Sequence, residues 1–418
     1  MRRIFLISIL ITIAGRLCAA DPTQTSYPAG DCLGTAKPYP VPEHLIETPD
    51  SLTPVFINHV GRHGARFPSS STPVEKLMRH LHSADSAGQL TPLGRSVLEA
   101  VNMVAEASHN RWGALDSLGM AEQRGIASRM FRTFPTLFRD QTVSALSSYA
   151  PRCVMSMYEF THQLDRLNNH VEIITTAGRQ NSPLMRPFDL DKAYIEWRAD
   201  KAWEQPYDML YETAVPTAPA RRFISDPAMS SKKAQEISLL CFTVLRGIPA
   251  MGRAIDLGKF FTLEEMNSMW SVENLRHYLR YSATTLSILP AELASQLVLN
   301  LISTTDAAAA GESPAAVMLR FGHAETLMPL LSLLRLRGCY YMTNYFDTVG
   351  LHWKGFDIVP MAANLRMVLF RSKKGALYVR FDLNERPIPL LPNSDSVYTP
   401  WPVARDFMTR CIPLHLQP

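Results

Sequence analysis

The sequence predicts an α/β fold carrying a mainly helical insertion, and three observations support that reading. Two short apolar runs far apart in the chain, Pro54-Val55-Phe56-Ile57 and Ala315 to Phe321, each pass through a polar turn into a helix. Between them, from roughly 160 to 290, the pattern is mainly helical. Two more strand-like runs follow, Met367-Val368-Leu369-Phe370 and Leu377 to Leu383, with a hairpin turn at Lys373-Lys374-Gly375. Strand, turn and helix in that order bring ligands to the carboxyl ends of the strands.

The elements are justified in chain order. Met1-Arg2-Arg3, the apolar run Ile4 to Ala14 and Leu17-Cys18-Ala19-Ala20 read as a secretory signal cut near Ala20. That run is too short to span a bilayer, and no later segment is apolar for long enough. Cys18 stands where a lipoprotein cysteine would, but Gly15-Arg16-Leu17 lacks the small residue next to it, so lipid anchoring is the weaker reading. Thr72-Pro73-Val74-Glu75 reads as a capping box with proline at the first helical position. Leu115 to Phe134 reads as a long helix entered through Asp116-Ser117-Leu118-Gly119. Val143 to Ser147 is a second strand, and a helix resumes at Met155 to Leu167.

In the insertion, Ser231 to Arg246 puts Ile237, Leu240, Cys241 and Val244 on one face and stops at Gly247, with Pro249 beyond. Thr262-Leu263-Glu264-Glu265 is a second capping box, and Ser271 to Tyr281 continues as helix. The expected organisation is a signal at 1–20, an α/β domain from 21–155 and 290–418, and a helical cap at 156–289.

Composition narrows the function classes. Residues 1–20 hold three arginines and no acid, so cleavage lowers Lys+Arg from 42 to 39 against 38 Asp+Glu. A mature chain so near neutrality has no general attraction for nucleic acid. Five cysteines follow the signal (Cys32, Cys153, Cys241, Cys339 and Cys411) with no zinc spacing. Cys241 lies on an apolar helix face and reads as an inert core residue. An oxidising compartment would allow one or two disulfides among the others, and spacing does not assign the pairs.

Arg62-His63-Gly64-Ala65-Arg66-Phe67-Pro68 follows the first strand and puts a nucleophile and two fixed cations in five residues. Phosphoryl transfer through histidine needs that combination: an imidazole nitrogen attacks phosphorus while guanidinium forks neutralise the spreading charge. Arginine meets phosphate oxygens bidentately and stays charged. His59 and His63 are four apart, but a metal pair at that spacing needs a helix, and Gly61 and Gly64 interrupt this segment. His59 reads instead as a hydrogen-bonded neighbour of the site. Downstream, Leu319-Arg320-Phe321-Gly322 runs into His323-Ala324-Glu325-Thr326 and an apolar helix. Glu325 suits a general acid and base, and His323 a donor to phosphate. Taken alone, a His-x-Glu is better read as a helix cap or a surface turn.

Together these motifs resemble the histidine acid phosphatase branch of the histidine phosphatase superfamily, over most of the chain after the signal. Leu115-Asp116-Ser117-Leu118-Gly119 is similar to that family's Leu-Thr-x-x-Gly helix entry, with Asp in place of Thr. His-Ala-Glu, where many members carry His-Asp, resembles the multiple inositol polyphosphate phosphatases. Asn181 to Asp189, with Leu184-Met185-Arg186-Pro187-Phe188, resembles that group's Leu-Arg-Phe-Phe stretch, and Leu383-Asn384-Glu385 its closing Leu-Asn-Glu strand.

The resemblance implies a phosphoglycerate mutase-like α/β/α sandwich with a helical cap and no cofactor. It implies hydrolysis of inositol hexakisphosphate and lower inositol phosphates by a secreted or periplasmic enzyme. The implied roles are His63 as nucleophile, Glu325 as proton donor, and Arg62, Arg66, Arg152, Arg186 and His323 as phosphate ligands. A polyanionic substrate would draw further cations from the insertion, and Arg221, Arg222, Lys232 and Lys233 are the candidates, each also readable as a solvated surface charge. The competing readings are a broad-range acid or sugar phosphatase and a phosphate-ester binding protein without chemistry. A cytosolic mutase-like enzyme is disfavoured by the signal and by the His-Ala-Glu acid.

Overall fold

A computed structural model describes residues 26–417, so the signal and Cys18 lie outside the described residues. One mixed sheet forms the centre, in the order β3-β2-β4-β1-β5-β6-β7, with β8 also paired to β6. The strands are β1 (Leu52–Arg62), β2 (Thr142–Ser147), β3 (Glu172–Ala177), β4 (Val317–Gly322), β5 (Asn364–Ser372), β6 (Leu377–Leu383), β7 (Arg386–Ile388) and β8 (Tyr398–Pro400). β1, β4, β2 and β3 run parallel, and β5 and β6 are the expected antiparallel pair. β1 and β4 are central and buried on both faces, which is why they read as continuous apolar runs.

The principal helices are α1 (Thr72–Ser86), α2 (Pro92–Ser108), α3 (Ser117–Thr133), α4 (Pro151–Leu167), α5 (Ser231–Leu245), α6 (Leu263–Tyr281), α7 (Ser295–Ala310) and α8 (Ala324–Leu333). One face of the sheet buries Ile57, Val143, Val317 and Leu319 against Ile126 and Met130 of α3 and Phe160 of α4. The other buries Phe56 and Val60 against α7 and α8 through Leu297, Val298, Leu327 and Leu331. Each such side chain contributes about 1.5–3 kcal/mol by leaving water. A separate core joins Leu77, Val97 and Val101 of α1 and α2 to Ile237 and Phe242 of α5.

Four local expectations are revised. β3 lies within the stretch read as helical; it is an edge strand with mostly exposed residues, so it lacks an apolar run. α1 starts where expected, but Ser71 is its N-cap and no side-chain capping bond forms, whereas the Thr262–Glu265 box is complete at α6. Asn384 and Glu385 are not strand: both take positive φ (50° and 61°) in the two-residue turn joining β6 to β7, where Leu383 pairs with Arg386. Cys32, Cys153, Cys241, Cys339 and Cys411 are all unpaired, so no disulfide forms among the described residues. Among those residues, no helix is long and apolar enough to cross a membrane.

Candidate active site

Strand register assembles the site. Arg62 is the Cα partner of Gly322 across β1 and β4, so the next residues on each strand, His63 and His323, leave the sheet side by side. The His63 N–H donates to Gly322 O at 3.0 Å, and the ring centroids of His63 and His323 are 5.7 Å apart. β2 ends beside them, where Ser148 N–H donates to Phe321 O, and the chain turns into α4 carrying Arg152 in its first turn.

The loop after β1 lies backbone to backbone on the start of α3. A Cβ on Gly64 would sit 2.4 Å from Gly119 O, and one on Gly119 would sit 2.2 Å from Ala65 O. Asp116 caps α3 by accepting from Leu118 N–H at 2.9 Å, so aspartate serves at this helix entry. Glu122 accepts from Ala65 N–H (2.7 Å) and from Tyr39 N–H (2.8 Å). Gln123 donates to Arg62 O, and Ser156 Oγ accepts from Gly64 N–H.

Nδ1 of His63 lies 2.9 Å from Gly64 O. A carbonyl only accepts, so this contact assigns the proton to Nδ1 and leaves the lone pair on Nε2. Burial, reinforced by Arg62, Arg152 and Arg66, holds the imidazole well below the usual histidine range and keeps it neutral.

The arginines converge on the same volume. Arg62 spends Nη1 on Thr35 O (2.7 Å) and Val359 O (2.6 Å), and Arg66 spends Nη1 on Phe67 O (2.8 Å). The Nε atoms of Arg62, Arg66 and Arg152 are buried without a partner. Buried N–H donors are rarely left unpaired, and three guanidinium groups leaving them together make a ready seat for an anion. Arg152 Nη2 lies 3.3 Å from His323 Nδ1, and Arg186 Nη1 lies 2.8 Å from His323 Nε2. Arg186 is steadied by Asp189 at 2.7 Å and by the rings of Phe188 and Tyr149. Thr326 Oγ1 donates to Met185 O, tying the segment that carries Arg186 to the start of α8.

His323 also contacts Ser148 Oγ at 3.0 Å; burial, with Arg152 and Arg186 adding to it, lowers its imidazole to about 3. Glu325 stands in the first turn of α8. Burial alone would raise its carboxyl, but His323, the backbone N–H at the helix start and Arg62 outweigh it and hold the group at about 2. Cys153 lies beneath His323 with Sγ 3.1 Å from Gly322 O, and burial pushes its thiol up to about 11.

His63, His323, Glu325, Arg62, Arg66, Arg152 and Arg186 are therefore in one neighbourhood, and His59 is not. That ring is buried in β1 between Phe160 and Phe321, and its Nδ1 has no hydrogen-bond partner, so the expected hydrogen-bonded neighbour is a core histidine. Among the described residues, no group of three or more His, Cys, Asp and Glu could hold a metal.

Beside this cluster opens a cleft of about 320 Å³, lined by Arg62, Arg66 and Glu325. Its far wall is α6, through Arg276, His277, Arg280 and Tyr281. These residues went unnoticed in the sequence; the available signal was three cationic or titratable groups and a tyrosine within six consecutive helical positions. The doublets singled out instead do not line this cleft: Arg222 pairs with Glu265 at 2.6 Å, Arg221 donates to Met229 O, and Lys232 lines a neighbouring groove.

A family profile described as "Histidine phosphatase superfamily (branch 2)" matches residues 55–384. The chain belongs to that family. As a member of branch 2 it is a phosphatase of the histidine acid phosphatase type. It is similar to multiple inositol polyphosphate phosphatase 1 of Homo sapiens, with 25% identity over 400 residues, 87% of this chain and 80% of the relative. The Gallus gallus protein of the same name is 24% identical over 88% of each chain. In fold, the Bifidobacterium longum multiple inositol polyphosphate phosphatase in complex with inositol hexasulfate superposes with a TM-score of 0.77, over 92% of this chain and 99% of that one at 16% identity.

Proposed function

We propose that this phosphatase hydrolyses inositol polyphosphates, including inositol hexakisphosphate, through a phosphohistidine. The observation that carries the chemistry is the Nδ1–H contact of His63 with Gly64 O, which leaves Nε2 free amid three guanidinium groups with unpaired N–H donors. In the first step Nε2 of His63 attacks phosphorus, the bond to the inositol oxygen breaks, and Glu325 gives that oxygen its proton. Arg62, Arg66, Arg152, Arg186 and His323 hold the transferring phosphoryl group. In the second step water attacks phosphorus, Glu325 takes the water proton, and the P–N bond breaks to release phosphate.

The low carboxyl of Glu325 is set by the groups around it, His323 and Arg62 among them. A phosphate dianion arriving there offsets the arginines and raises that group, so substrate binding favours the protonated acid the first step needs.

The substrate class is supported by the relatives' names and by the cleft's charge. Five arginines line it (Arg62, Arg66, Arg246, Arg276 and Arg280) against Glu273 and Glu325, an excess of three positive charges. The opening Met1–Ala20 stretch supports export to the periplasm or beyond, and the helices between β3 and residue 289, α5 and α6 among them, act as the cap, because α4 and β3 belong to the sheet layers. The alternative is a broad-range phosphatase with the same chemistry and no preference among esters. Phosphate release from inositol hexakisphosphate and from 4-nitrophenyl phosphate, with His63→Ala and Glu325→Gln beside the parent, tests the reading. Turnover of the inositol ester lost in His63→Ala is the expected result; turnover of the aryl ester alone favours the alternative.

A further inference from the structure

The turn joining β6 to β7 lies one strand beyond the end of β1, with β5 between them, and does not line the cleft. In a two-residue turn with positive φ at both positions, asparagine is common first and glycine second. Glu385 stands in the glycine position at φ 61°, and the side chains of Asn384 and Glu385 are both buried. A residue other than glycine stays in that conformation only where its surroundings hold it there. Glu385 accepts from Nε and Nη2 of Arg129 (3.0 and 2.7 Å) and from the Tyr39 hydroxyl (3.0 Å). The turn so anchored presents the Asn384 carboxamide to the chain that leads into β5. Its Oδ1 accepts from Asn364 N–H (3.0 Å), and its Nδ2 donates to Asp357 O (2.7 Å) and Ile358 O (3.3 Å). The same segment, 357–363, holds the start of the nucleophile loop. Val359 O accepts from Nη1 of Arg62 (2.6 Å), Ala363 O accepts from Arg62 N–H (2.7 Å), and Ala362 N–H donates to His63 O (3.0 Å).

We infer that Asn384, anchored through Glu385, is a positioning residue that aims the Arg62 guanidinium at the phosphoryl group by fixing the 357–363 segment. The inference rests on the phosphohistidine reading above, in which Arg62 holds the transferring phosphoryl group. Arg62 spends Nη1 on Val359 O and Thr35 O, so fixing the Val359 carbonyl sets where the remaining N–H groups of the fork point. Without the Asn384 bonds to Asp357 O and Ile358 O, that carbonyl is free to shift and the fork turns with it. The tautomer of His63 is unaffected, because its Nδ1 contact is with Gly64 O.

A double-mutant cycle separates positioning from a purely structural role. Hydrolysis of 4-nitrophenyl phosphate by the full chain is measured for the parent, Asn384→Gly, Arg62→Lys and the double variant, each well below its unfolding midpoint. Asn384→Gly keeps a turn that glycine adopts freely and removes only the carboxamide. Arg62→Lys keeps the charge but has no planar fork to aim. The expected result is that Asn384→Gly lowers kcat/KM roughly tenfold in the parent and less than about twofold beside Arg62→Lys. Where Asn384→Gly fails to fold, Asn384→Asp takes its place in the cycle; it keeps the acceptor for Asn364 N–H and lacks the donors to the two carbonyls. A residue needed only for folding lowers the unfolding midpoint and leaves kcat/KM of the folded enzyme unchanged, and that result overturns the inference. Equal losses in the two backgrounds overturn it as well, while leaving Arg62 as a phosphate ligand. An Arg62→Lys variant as active as the parent sinks the role of the fork itself, and the positioning role with it.

Discussion

The carbonyl oxygen of Gly64 lies 2.9 Å from Nδ1 of His63, so the residue that follows the nucleophile selects its tautomer. That carbonyl is itself fixed because Gly64 is pressed against Gly119 and its N–H is held by Ser156 Oγ. A chain of backbone contacts therefore determines which ring nitrogen can attack phosphorus.

Gly64→Ala puts a methyl group 2.4 Å from Gly119 O, and backbone cannot swing aside as a side chain can. The expected outcome is a loss of stability of about 1–3 kcal/mol from overpacking. With it comes a fall in kcat on the order of a hundredfold, because the nucleophile shifts relative to its cations. Thermal unfolding and steady-state kinetics on an aryl phosphate read both. Parent-like values for each would contradict the close packing.

Glu122→Gln keeps the shape of the side chain but not its acceptors. Its two oxygens receive separate backbone N–H groups, from Tyr39 and Ala65, and an amide must turn its NH2 toward one of them. A facing pair of donors costs about 1–3 kcal/mol. The variant should unfold at lower denaturant with an unchanged m-value. It should also lose kcat more than KM, since Ala65 lies between His63 and Arg66.

His59→Phe tests the acid sensitivity of the fold. Burial, then Arg366 and Arg320, lower this imidazole from 6.5 to about 3. The folded state therefore refuses a proton that the unfolded chain accepts below about pH 6.5. The stability His59 contributes is fully present above that pH and is lost as the pH falls toward 3, at about 1.4 kcal/mol per pH unit. Chemical denaturation between pH 7 and 4 should show a shallower decline for His59→Phe, and an identical slope would contradict the assignment.

Arg186→Ala removes one of the two guanidinium groups on His323 while leaving its contact with Ser148. Binding of inositol hexakisphosphate should weaken, seen in KM, and the imidazole of His323 should titrate at higher pH, because a neighbouring cation is gone. Kinetics together with an NMR titration of His323 distinguish this from a loop arginine, which would move neither.

The parts of this fold legible in the sequence are those where one physical signal dominates. β1 and β4 are buried on both faces, so Val55-Phe56-Ile57 and Val317-Met318-Leu319 read as strands, and the motifs at their ends were placed with them. β3 is an edge strand in which Glu172, Ile174, Thr176 and Ala177 are exposed, so neither period nor run betrays it. The capping motif at Thr72 and the one at Thr262 look alike as sequence. Only the second forms, because Thr72 is already the first helical residue after Ser71, whereas Thr262 stands at the cap itself in extended conformation. Arg62 and Arg66 were found because they lie within five residues of each other. The part Asn384 plays was not, because it lies in bonds to backbone carbonyls far from it in the chain.

The most direct test of the central claim is to trap the phosphoenzyme. Glu325→Gln, given an aryl phosphate whose leaving group needs little help from an acid, should complete the first step and stall at the second, where a base is required. Alkaline quenching and peptide mass spectrometry should then find phosphate on His63, and none in the double variant His63→Ala/Glu325→Gln. Phosphate on His323 instead, or turnover without any phosphohistidine, would contradict the account.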